Sequence, residues 1–144
     1  LGCALAYKRH TSRSGALKTE FLKKVLKARP NKSIDTIGCT DSSDGLFQAL
    51  LDLATESNCK AVIDYAQIPK HKNWPKGNKW DEYYFFGGED YELVFSLPRK
   101  WANNLLCSDK TITEIGYFLE GDASVDFKNC DNKNLFRNKP FSHF

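Results

Sequence analysis

Apolar positions along this chain follow helical spacing in some stretches and strand spacing in others. Leu17, Phe21, Leu22, Val25 and Leu26 recur at helical intervals, with lysines on the other face. Pro30 ends that helix, because proline disfavours helical backbone in the residue before it. Ahead of it, Cys3 to His10 reads as a short helix closed by Thr11-Ser12-Arg13-Ser14-Gly15. Ile34 to Thr40 predicts a short strand. Phe47, Leu50, Leu51 and Ala54 form the core stripe of a further helix that stops at Ser57-Asn58.

Lys60 to Tyr65 has a continuously apolar centre, which predicts a buried strand, and Ile68-Pro69 closes it. Residues 70–79 are a polar loop. Trp80, Tyr83 and Tyr84 then suggest a short helix before Gly87-Gly88. Tyr91, Leu93 and Phe95 alternate with Glu92, Val94 and Ser96, which predicts a strand. Pro98 opens a helix over Trp101 to Cys107. Strands are expected at Thr113 to Leu119 and Ala123 to Phe127, joined through Gly121-Asp122, before an irregular tail from Lys128 to Phe144. The mixture predicts an α+β fold, a mixed β-sheet covered by helices.

Length adds that the 144 residues suffice for one domain burying roughly two-thirds of its unfolded surface. No apolar run approaches the ~20 residues that span a bilayer, and the opening does not read as a signal peptide, because its apolar stretch is only Cys3 to Tyr7 and basic residues follow. The sequence contains no methionine and opens on Leu1-Gly2-Cys3-Ala4-Leu5-Ala6. That opening reads as the interior of a domain, so a fragment or processed product is expected. Five cysteines (Cys3, Cys39, Cys59, Cys107, Cys130) are widely spaced and odd in number. They predict free thiols in a reducing cytosol rather than zinc or a disulfide framework. The net charge of +3 arises mainly between Lys8 and Lys32, where only Glu20 opposes the basic residues. A solvated helix face is the expected reading, with an anionic partner as the alternative.

Candidate chemistry gathers in two acidic clusters. Asp41-Ser42-Ser43-Asp44-Gly45-Leu46 lies between a strand and a helix. Magnesium takes hard oxygen ligands, commonly one or two carboxylates plus phosphate oxygens. Asp41 and Asp44 have the right chemistry for the metal, Ser43 for a phosphate, and Gly45 leaves the backbone open to a close ligand. The structural alternative makes Asp44 or Ser43 an N-cap and Gly45 a turn residue. The second cluster, Gly87-Gly88-Glu89-Asp90-Tyr91-Glu92-Leu93, crowds three acids, which repel unless solvated or sharing a cation. Its alternative is a solvated turn with Glu92 on an exposed strand face. Trp74, Trp80, Tyr83 and Tyr84 beside Lys70, Lys72, Lys76 and Lys79 match the composition of base-stacking surfaces. Packing of the loop on the core is the expected reading there. His71 and His143 enter no Ser/His/Asp or Cys/His arrangement.

Taken in order, DSSDGL at Asp41 to Leu46, Ala61-Val62-Ile63-Asp64 with Ile68-Pro69, and GGEDYEL at Gly87 to Leu93 resemble the C-terminal domain of thiamine-monophosphate kinase. The closing Phe141-Ser142-His143-Phe144 is similar to that family's aromatic, Asp, His, Phe ending. The resemblance runs from about Gly2 to Phe144. It implies an ATP- and magnesium-dependent kinase that converts thiamine monophosphate to thiamine diphosphate. It also implies a cytoplasmic enzyme of the wider aminoimidazole ribonucleotide synthetase superfamily.

By the same resemblance, residues 1–144 are the second domain of two, and the absent N-terminal domain carries further magnesium-binding aspartates and a homodimer interface. Asp41 and Asp44 would ligate magnesium and Ser43 would contact ATP phosphate. Glu89 and Phe141 would contact the substrate, with Asp90 supporting that loop. No residue is implied as a general acid or base. This chain has Phe47-Gln48-Ala49 where many relatives carry a further aspartate, and Ser142 where they carry Asp. The rival expectations are another ATP-dependent enzyme of the superfamily and a non-catalytic binding or assembly domain. Membrane and nucleic-acid partners are not expected.

Overall fold

The computed structural model describes residues 3–8, 15–30, 37–70, 72–88 and 91–130. Six strands form one mixed sheet: β1 (Cys3–Lys8), β2 (Gly38–Asp41), β3 (Cys59–Asp64), β4 (Leu93–Pro98), β5 (Ile112–Glu120) and β6 (Ser124–Lys128). Their order across the sheet is β2-β4-β1-β5-β3-β6. Strands β1, β2, β3 and β6 run one way, and β4 and β5 run against them. Four helices complete the fold: α1 (Gly15–Lys27), α2 (Leu46–Glu56), α3 (Asn78–Phe86) and α4 (Arg99–Ser108).

Helices cover both sides of this sheet. On one side Leu46, Ala49, Leu50, Leu53 and Ala54 of α2 and Tyr84 and Phe85 of α3 pack on Ala61, Ile63, Val94, Ile115 and Phe118. On the other, Phe21 and Val25 of α1 and Trp101, Ala102 and Leu105 of α4 pack on Leu93, Phe95, Leu97 and Ile112. Strand β4 feeds both cores, so Leu93 to Leu97 are all buried. Its expected alternation is real, but the two faces meet two cores rather than core and solvent.

A register shift lies between Leu5 and Ala6, which pair with Gly116 and Glu114 and leave Ile115 as the extra residue. Strict alternation would put Ile112 and Phe118 on one face. This bulge lets them serve opposite cores.

Two expectations need correction. Cys3 to Lys8 is a strand, not a helix. It lies inside the sheet between β4 and β5, and its short apolar run carries no periodicity to identify it. The predicted stripe of α1 is also too wide. Phe21 and Val25 are buried, whereas Leu22 is 39% and Leu26 60% exposed.

The end of α1 is capped by α4. Trp101 Nε1 donates to the Val25 carbonyl at 2.7 Å, and Asn104 Nδ2 donates to the Ala28 carbonyl at 3.1 Å. Terminal helix carbonyls have no partner within their own helix, so these side chains supply what the helix cannot. Trp101→Phe removes a buried donor and some ring volume. Chemical denaturation is expected to show a loss of about 2 kcal/mol with an unchanged denaturant slope.

Candidate active site

Strand β2 delivers the first acidic motif. Asp41 is its last residue and pairs with Leu93 at the start of β4. Asp41 Oδ1 accepts the Ser43 N–H at 3.1 Å, an Asx turn that bends the chain out of the strand. The Gly45 N–H then donates to the Ser42 carbonyl at 3.0 Å, closing a four-residue turn. Helix α2 starts at once, with Gly45 as its N-cap, no capping side chain and no acid in the first turn. The N-cap role considered for Asp44 or Ser43 is therefore not taken, and the positive end of α2 has no first-turn carboxylate.

The second motif lies against this turn. Ser42 N–H donates to the Glu92 carbonyl at 2.9 Å, and Glu92 N–H donates to Ser42 Oγ at 3.1 Å. Gly88 touches the turn from another side: a Cβ there would sit 2.3 Å from the Ser43 carbonyl oxygen. Gly45, with φ +96°, approaches α3 so closely that its Cβ would lie 2.7 Å from the Phe85 carbonyl oxygen. Segments more than forty residues apart thus form one unit, with Asp41, Ser43 and Asp44 half-buried at its surface. Glu92 is buried at 5% exposure, which corrects its expected place on an exposed strand face. Glu89, Asp90 and Phe141 lie outside the described residues.

Among the described residues no group of three or more His, Cys, Asp or Glu side chains is assembled to hold a metal. The donor set here is two carboxylates on one turn, all hard oxygen. That fits a magnesium ion shared with substrate phosphates rather than held in a protein cage. Cys39, two residues before Asp41, is exposed in surface area. Even so, loss of solvation and then the Asp41 carboxylate push its thiol up to about 11, so it stays protonated at neutral pH.

Sequence reasoning passed over Ser42 as a contact point, because its only signal was membership of a motif whose other residues carry the evident chemistry. The Gly87-Gly88 pair was readable as a point of close backbone approach, and Gly88 makes one at Ser43.

The aromatic and lysine-rich loop stands apart from this unit. With α3 and Tyr65 it lines an open cavity of about 410 Å³. Tyr84 is buried and donates to the Pro69 carbonyl at 2.7 Å, while Trp74 packs edge-on against Tyr84 and Trp80. Lys70 donates to Asp81 at 2.7 Å and to Tyr65 Oη at 2.6 Å. Burial acts to lower its pKa, but these two partners outweigh it and hold the ammonium above the ordinary lysine value.

No family model matches the sequence. The thiamine-monophosphate kinase of Prochlorococcus marinus is 39% identical over 123 residues, which cover 85% of this chain and 37% of that protein. The chain belongs to the thiamine-monophosphate kinase family. It spans well under half the length of that relative, and its coverage fits a C-terminal portion. Solved structures agree on the fold. The thiamine-monophosphate kinase of Stenotrophomonas maltophilia superposes with a TM-score of 0.63 at 19% identity, covering 88% of this chain and 50% of that one. A structure described as AaThiL complexed with AMPPCP and TMP gives 0.60 at 26% identity, over 92% of this chain and 50% of its own. The mixed sheet with helices on both faces is thus the fold of this kinase family, as the resemblance implied. Among the described residues no helix is long and apolar enough to cross a membrane.

Proposed function

We propose that this chain is the C-terminal domain of an ATP- and magnesium-dependent kinase that phosphorylates thiamine monophosphate to thiamine diphosphate. The observation that carries the reading is the direct joining of the two acidic motifs through Ser42 and Glu92. It makes a single site of the two motifs on which the resemblance to that family rests. The AaThiL complex with AMPPCP and TMP supports a nucleotide and a thiamine phosphate as its ligands.

In this reading Asp41 and Asp44 would hold magnesium, and the ion would supply charge neutralisation for the phosphates. Ser43 and the first amides of α2 receive nucleotide phosphate, a use suited to the positive end of a helix. Glu89 and Phe141 contact the thiamine substrate, and Asp90 supports the Glu89 loop. Positioning does the remaining work, since an acceptor phosphate needs little help from a general base at neutral pH. An N-terminal domain supplies the opposite wall and the homodimer interface, and the enzyme is cytoplasmic.

The test uses the complete coding sequence that contains these residues. Incubation with ATP, magnesium and thiamine monophosphate is expected to yield thiamine diphosphate and ADP, while aminoimidazole precursors yield none. A folded full-length protein that leaves thiamine monophosphate unchanged would overturn the reading.

A further inference from the structure

Glu92 exchanges two hydrogen bonds with Ser42, one through backbone alone and one through the Ser42 hydroxyl. Ser42 is 2% exposed, so an amide deprived of that hydroxyl would have little water to turn to. One residue earlier, Tyr91 has φ +48°. This left-handed backbone costs a residue with a Cβ, and glycine adopts it freely. The Tyr91 side chain is 46% exposed, so deep burial of the ring does not enforce the bend. The bend directly precedes Glu92 and the start of β4.

We propose that Ser42 is a positioning residue. Its hydroxyl latches the Glu92 N–H and so holds the strained bend at Tyr91. The latch sets the second motif against the turn that carries Asp41, Ser43 and Asp44. Its consequence for catalysis rests on the kinase reading above. Its mechanical part does not.

Amide hydrogen exchange in the full-length protein tests the mechanical part. Ser42→Ala is expected to speed exchange of the Glu92 amide about tenfold, the usual worth of one such bond. Ser42→Thr, which keeps a hydroxyl, is expected to stay near wild type. The decisive comparison uses two double variants that both lose the Tyr91 ring. Ser42→Ala with Tyr91→Gly removes the strain and is expected to recover part of the protection. Ser42→Ala with Tyr91→Ala retains the strain and is expected to recover none. Equal exchange in the two double variants, or an unchanged Glu92 amide in Ser42→Ala, overturns the latch.

In kinetics, Ser42→Ala is expected to raise the KM for magnesium-ATP roughly tenfold. A purely structural role would lower the unfolding temperature and leave KM alone. The exchange comparison decides on the latch whether or not the wild-type protein phosphorylates thiamine monophosphate. Absence of that phosphorylation counts against the kinase reading instead.

Discussion

Asp41→Asn and Asp44→Asn, each made in the full-length protein, are expected to lower phosphoryl transfer to thiamine monophosphate by at least about a hundredfold. Thermal unfolding is expected to stay close to wild type. The argument rests on what asparagine keeps. Asp41 holds its turn by accepting the Ser43 N–H through Oδ1, and an asparagine carbonyl oxygen accepts the same bond. Its charge is lost, and charge is what a magnesium ion bridging phosphates requires. Asp44 is half-buried in the turn that Gly45 closes on Ser42, so an isosteric change leaves that backbone intact. Activity is to be measured across a range of magnesium concentrations. Weakened metal binding would show as partial rescue at high magnesium. Unchanged turnover in both variants sinks the metal role, and lost folding in either would show that the carboxylate holds structure.

Most of the fold was legible because long periodic segments declare themselves. Helix α2, strand β3 and the alternation of β4 each followed from spacing alone, but the buried face of α2 is Leu46, Ala49, Leu50, Leu53 and Ala54, and Phe47 and Leu51 of the expected stripe are only half-buried. The failures have local physical causes. Cys3 to Lys8 is an interior strand of the sheet, and a run that short and apolar does not show by spacing alone whether it is helix or strand. Leu22 and Leu26 fit a helical stripe, yet only Phe21 and Val25 of the expected set are seen buried. The strand order was also beyond reach. Strands β5 and β6 follow each other through a short Gly121-containing connection, but β3 lies between them and pairs with both.

At the site, residue types and their order pointed to metal and phosphate chemistry. Contact between the two motifs depended on a sheet pairing of β2 with β4 that no local pattern encodes. Ser42 illustrates the limit. Within its motif it is one hydroxyl beside another, and only the fold distinguishes it as the residue facing Glu92.

Two glycines at that junction, Gly45 and Gly88, are expected to resist any side chain, and Gly77 provides the control. Gly45 has φ 96° and ψ 155°, and Gly77 has φ 120° and ψ 157°, so each caps a helix in a region that alanine enters only with strain. Their surroundings differ. A Cβ on Gly77 meets nothing within 4 Å, whereas one on Gly45 meets the Phe85 carbonyl oxygen at 2.7 Å. Gly77→Ala should therefore report backbone strain alone, a loss of about 1 to 2 kcal/mol.

Gly45→Ala adds overpacking of backbone against backbone, where no flexible side chain can move aside. Its loss is expected to exceed that of Gly77→Ala by about 1 to 3 kcal/mol. Gly88→Ala isolates the remaining component, since its Cβ would fall 2.3 Å from the Ser43 carbonyl oxygen. Relief there requires the second motif to back away from the turn. Activity should then fall more steeply than stability. Denaturant titration of all three variants, with kinetics on Gly88→Ala, checks the ordering. Equal losses at Gly45 and Gly77 would show that the turn and α3 are not closely packed. Unaltered kinetics in Gly88→Ala would show that spacing between the two motifs is not what the chemistry depends on.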